Sequence, residues 1–138
     1  MNREILFRGK DKEAKKWVYG GYCLINGEPR IVVEVRADIT YVMYVSVDPD
    51  TVGQFTGFLD KKGKKIFEGD VCLIPDDTDP ECPENLLTVV VFNTVDGNWQ
   101  LQTIPDKYHH SVKEWLCEFG DECEVIGNKW DNPELLEP

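Results

Sequence analysis

The sequence is short of histidine, of basic residues and of long apolar runs, and each shortage removes a class of function. Only two histidines occur, His109 and His110. Neighbours in an extended segment point to opposite faces, so this pair cannot readily chelate one ion. No serine, cysteine or acid stands at a spacing that would nominate a nucleophile beside them. No stretch approaches the ~20 apolar residues of a membrane-spanning helix. The opening MNREILFRGKDKEAKKW carries no apolar signal core, so the expected location is the cytoplasm, with no membrane partner. Five cysteines, at 23, 72, 82, 117 and 123, form no CxxC pair, which argues against a disulfide framework or a zinc knuckle. Fifteen Lys and Arg against 26 Asp and Glu leave a formal charge of −11. Such a surface repels phosphates and disfavours direct nucleic-acid binding. No metal, no cofactor and no catalytic residue is expected.

What is present belongs to a globular protein rich in turns. Hydrophobic residues make up 41% and charged residues 30% of the 138, with 11 glycines and 8 prolines spread along the chain. Strand signals dominate. Arg3–Arg8 alternates, DKEAKK is a turn, and Trp17–Ile25 is a second strand. Asn26-Gly27 marks a hairpin, because a two-residue turn of mirror-image type needs positive φ at both positions. IVVEV and YVMYVSV follow. Asp48-Pro49-Asp50 turns the chain into TVGQFTGF, an extended arm broken by Gly53 and Gly57. DKKG and Glu68-Gly69-Asp70 are further tight turns. LLTVVVF, apolar on both faces, is expected to be buried. After the turn Asp96-Gly97-Asn98, WQLQTI alternates with Trp99 and Leu101 inward. One helix is indicated: Ser111 and Glu114 form a capping box, Val112, Trp115, Leu116 and Phe119 share a face, and Gly120 stands at the left-handed cap position. CEVIG is a last strand, and Asn132-Pro133 opens a final turn. The expected fold is mostly β, with residues 1–60 an N-terminal meander. Residues 61–138 are then a small SH3-like barrel closed by the short helix, the alternative being one continuous domain.

Three segments, REILFRGKDKEAKKWVYG, TVGQFTGFLDKKGKKIFEGDV and EVIGNKWDNPELLE, together resemble the YopX family of small phage and prophage proteins. The resemblance spans the chain in the family's order. It implies a mostly β protein of the infected bacterial cytoplasm with no established enzymatic activity. The acidic insert Asp76–Glu84 is not part of that pattern.

Each candidate site has a plainer alternative. Gln54 and Thr56, between glycines, are candidate contact residues, although a bend anchored by Phe55 explains the same alternation. With Asp76, Asp77, Asp79 and Glu81 of the acidic loop they form the expected interaction surface. Asp60, Glu68 and Asp70 could serve a small metal-dependent hydrolase, but Asp60 and Asp70 are also what tight turns require. Cys82, Cys117 and Cys123 are a weak metal trio, and Cys72 and Cys23 are small apolar strand residues. Four tryptophans invite the idea of a stacking platform, yet core packing suits Trp99 and Trp115 better. The expected function is a non-enzymatic module that binds an unidentified host or phage protein. An acidic DNA mimic that occupies a basic protein is the second reading, and the hydrolase is third. Exposed strand edges invite self-pairing, so a homo-oligomer of unspecified order is a further expectation.

Overall fold

The computed structural model describes residues 3–76, 84–104 and 113–137. The fold is mostly β, built from two antiparallel sheets, and the chain divides into two compact units, Met1–Phe55 and Thr56–Pro138.

The first unit contains β1 (Phe7–Lys10), β2 (Trp17–Ile25), β3 (Glu28–Arg36), β4 (Tyr41–Ser46) and the start of β5 (Gly53–Leu59), which runs through the boundary. The strands lie in the order β4-β3-β2-β1-β5. The first strand begins at Phe7 rather than Arg3, and Ile5 is exposed. The β2–β3 hairpin has the expected turn: Asn26 and Gly27 take φ of 53° and 79°, and Ile25 pairs with Glu28. The 11–16 turn is held by Asp11, whose Oδ1 accepts from the Glu13 and Ala14 N–H groups at 2.9 and 3.2 Å. Ile31, Val47 and Phe55 are buried. Buried beside them is Arg8, with its guanidinium 4.5 Å from the centre of the Trp17 ring. That cation–π contact gives the charge an aromatic face inside the unit.

In the second unit β6 (Lys65–Phe67) adjoins β5. A five-stranded sheet follows, made of β7 (Asp70–Asp76), β8 (Glu84–Asn93), β9 (Asn98–Thr103), β10 (Lys113–Trp115) and β11 (Glu124–Asn128). Its order is β10-β9-β8-β7-β11. No ladder joins β10 to β11 among the described residues, so the unit is an antiparallel sheet and is not described as a closed barrel. Ile66, Cys72, Ile74, Leu86, Val90, Leu101, Leu116, Cys123 and Val125 form its core. The strand LLTVVVF buries only one face: Leu86, Thr88 and Val90 are covered, while the intervening residues are half-buried. In β9, Leu101 is buried and Trp99 packs against the core, as expected.

The helix differs from its sequence pattern. Lys113–Trp115 is a short edge strand paired with Gln100–Gln102, and α1 covers only Leu116–Phe119. Ladder hydrogen bonds to β9 displace the first turn of the periodic helix, a tertiary override of a local preference. Trp115 is therefore half exposed at 50% and is not a core residue. Ser111 and Val112 lie outside the described residues. Gly120 is right-handed (φ −53°), its N–H donating to Leu116 O at 2.8 Å, so it does not form a left-handed cap. Pro133 opens a short 3-10 turn, but Asn132 does not cap it. The Asn132 side chain instead accepts from Asn128 N–H at 3.2 Å.

Candidate functional site

Aspartate was the residue type most open to a chemical reading, and in the second unit aspartate organises the chain. Asp60 is 6% exposed. Its Oδ1 accepts from Lys62 N–H at 2.9 Å and Lys64 N–H at 2.8 Å, closing the DKKG turn. Gly63 takes φ of 82° at the left-handed position of that turn. Oδ2 accepts from the Val125 N–H at 3.0 Å, 65 residues away on β11. A second strap runs alongside, Lys61 N–H to Cys123 O at 2.9 Å. Burial by itself pushes the Asp60 carboxyl up. The backbone donors of Val125, Lys64 and Lys62, with the Lys64 charge, outweigh it and hold the group below its ordinary 3.8. An acid kept ionised by three backbone donors is an anchor for a turn, with both of its oxygens already accepting from backbone.

Asp70 follows the same rule. It is 2% exposed, and its Oδ2 accepts from Phe67 N–H at 2.8 Å across the Glu68-Gly69-Asp70 turn. Glu68 is half-buried. Among the described residues no three His, Cys, Asp or Glu side chains come together as a group able to hold a metal. Asp60, Glu68 and Asp70 therefore do not assemble the metal-binding trio of the hydrolase reading, because two of the three carboxylates are turned onto backbone.

The other sequence-nominated residues are placed as follows. Thr56 is buried, donating to Ile66 O at 2.8 Å and accepting from Phe58 N–H at 3.2 Å, so it is not an exposed contact. Gln54 is half-buried in β5 opposite Phe7. Asp77, Asp79 and Glu81 lie outside the described residues, as do Cys82, the two histidines and the side chain of Asp76. Trp99 meets Phe92 edge-on, with ring centres 5.0 Å apart. Trp130 carries Lys129 over one face at 4.8 Å and packs on Gly69. Both rings pack against neighbouring residues of the second unit. A hollow on the outer side of β8 and β9 is lined by Val89, Gln102, Thr103, Ile104 and Leu136, with no ionisable side chain among them.

Cys72 and Cys123 are both fully buried in the core of the second unit. A thiol hydrogen bond with Cys123, then burial, then the charges of Asp70 and Asp60 all push the Cys72 thiol upward. Cys117 is exposed while Cys123 is buried, and Cys82, the third of the suggested trio, lies outside the described residues. Brief iodoacetamide treatment of native protein should alkylate Cys117 and leave Cys72 and Cys123 unmodified until denaturant is added. Peptide mapping by mass spectrometry reads this, and equal labelling of all three would contradict the packing.

Sequence reasoning did not single out the surface formed by the far half of the β3–β4 hairpin. Every residue from 33 to 44 is exposed. Val35 keeps 67% and Val42 50% of their surface, with Tyr41, Met43 and Tyr44 also open. The signal was present in YVMYV, where apolar residues occupy both faces of the strand.

These observations define a class: a small antiparallel β protein of two units whose glycine and aspartate turns are structural and which exposes a row of apolar side chains on the β3–β4 hairpin. The chain belongs to the YopX family, whose model, "YopX protein", matches residues 6–137. Among solved structures it is similar to the crystal structure of protein EF1440 from Enterococcus faecalis. That likeness has a TM-score of 0.58 and 20% identity, covering 99% of this chain and 100% of the other, and it shows the fold. No curated protein matches the chain.

Proposed function

We propose that the protein is a non-enzymatic interaction module, an accessory protein of a phage or prophage acting in the bacterial cytoplasm. The β3–β4 hairpin is the single observation that carries this reading. It is a two-stranded ribbon exposed along its far half, with Val35 and Val42 paired on one face and Met43 and Tyr41 beside Glu34 and Arg36 on the other. Exposed apolar patches beyond a few hundred Å² mark interaction surfaces in otherwise polar proteins. The engagement of Asp60 and Asp70 by backbone donors supports the same reading.

Affinity capture from infected cells tests it, comparing wild type with Val42→Lys. A protein retained by wild type and lost with the variant is the expected result. A turnover activity that survives Val42→Lys, with no protein captured by either form, would refute the proposal.

A further inference from the structure

The far half of the β3–β4 hairpin has no stabilising layer on either side. All twelve residues from 33 to 44 are exposed, and eight of the twelve are apolar. A two-stranded hairpin with both faces in water is at best marginally stable. Along Tyr41–Val45 the outer edge of β4, the end strand of its sheet, has no ladder partner among the described residues, whereas the Ser46 carbonyl accepts from Lys12 N–H at 3.1 Å and Val47 bridges Asp11. Natural edge strands are blunted by lysine, proline or a bulge. Tyr41-Val42-Met43-Tyr44-Val45-Ser46 has no charge and no proline, and the bulge in this ribbon lies in β3, between Val32 and Glu34.

From these features we infer that β4 pairs antiparallel with β4 of a second copy of this chain, extending the sheet across a two-fold axis. The inference rests on the interaction-module reading and names its first partner. The strand is self-complementary: with the axis at Met43, Tyr41 stands opposite Val45 and Val42 opposite Tyr44, apolar against apolar throughout. Such a pair consumes both β4 edges and closes at two.

Charge points to the same region. Two copies at −11 each repel, and they can meet only where acids are sparse. Residues 17–47 contain three acids, Glu28, Glu34 and Asp38, against two bases, Arg30 and Arg36, a net of −1. The arm's own charges are internally paired, Arg36 lying 3.9 Å from Glu34 and 3.5 Å from Asp38. The paired strand itself presents exposed apolar side chains at Tyr41, Val42, Met43 and Tyr44.

Sedimentation equilibrium of the full chain tests the pairing. Wild type should tend toward twice 15.9 kDa as concentration rises. Added salt should strengthen association by screening the like charges, whereas binding to a basic partner would weaken. Val42→Lys places like charges across the axis and should weaken self-association on the order of tenfold or more. Val95→Lys, at an exposed hairpin tip in the other unit, should leave it unchanged. Wild type that stays at 15.9 kDa up to several hundred micromolar overturns the second-copy inference. If capture from infected cells still depends on Val42, the interaction reading survives that result; if it does not, both fail. Dimers unaffected by Val42→Lys also overturn the inference, since they form elsewhere.

Discussion

Asp60→Ala is expected to lower the stability of the protein by about 3–5 kcal/mol, a fall in melting temperature of roughly 10–20 °C. The size follows from what the carboxylate holds. Removing it leaves the N–H groups of Lys62, Lys64 and Val125 without their acceptor. A buried donor left unsatisfied costs about 1–3 kcal/mol. Val125, itself buried on β11, has the least access to replacement water. Asp60→Asn should be milder, because an amide oxygen can still accept from the two turn donors. Its NH₂ then faces the Val125 N–H, donor against donor, and the link to β11 is lost. The pH dependence has a definite sign. The folded Asp60 is held below its ordinary 3.8, so its ionised form contributes stability fully above the unfolded value. That contribution disappears as pH falls through the folded value. The difference between wild type and Asp60→Asn should therefore be constant near neutrality and narrow only in strong acid, as followed by denaturant titration across pH. A variant that melts with wild type yet loses an activity would instead make Asp60 a chemical residue.

The local half of this network was legible in the sequence and the long-range half was not. Turn residues declare themselves because one φ decides them. Asn26-Gly27, Gly63, Gly69 and Gly97 all take positive φ where the spacing of polar and apolar residues placed turns. Aspartates that begin turns could be read in the same way. No local rule says that Asp60 also reaches Val125, 65 positions on, or that Arg8 is buried against Trp17. The helix pattern from Val112 failed for a related reason, since Lys113–Trp115 found a strand partner that sequence periodicity does not register. Apolar residues on both faces were equally ambiguous. LLTVVVF lies within a sheet and buries one face, whereas YVMYV stands at an edge and buries almost nothing. Composition is the same in kind, and position in the sheet decides the outcome. The family resemblance carried the IFEGD and GNKWDNPE segments only in their order along the chain, without placing them together. Structurally, these two meet where Gly69 lies under Trp130.

That meeting point is the basis of the second large effect: Gly69→Ala should cost about 2–5 kcal/mol. Gly69 has φ of 86°, a conformation that charges an L-residue roughly 1–2 kcal/mol. Its neighbours leave no room to relax. The Gly69 N–H donates to Val90 O at 2.9 Å and its carbonyl accepts from Lys129 N–H at 3.0 Å, so the backbone is pinned on both sides. An added Cβ would fall within the van der Waals envelope of Trp130 Cη2 and Cζ3. Displacing a packed indole should add about 1–3 kcal/mol. Gly97→Ala separates the two terms, because Gly97 shares the positive φ (69°) but has open space around its missing Cβ. It should lose only the backbone part. Combining Gly69→Ala with Trp130→Leu completes a double-mutant cycle in which the steric part appears as a coupling of about 1–3 kcal/mol. Equal losses for the two glycines, with no coupling to Trp130, would mean the ring does not rest on the turn. The tight turn between β6 and β7 would then owe its glycine to φ alone.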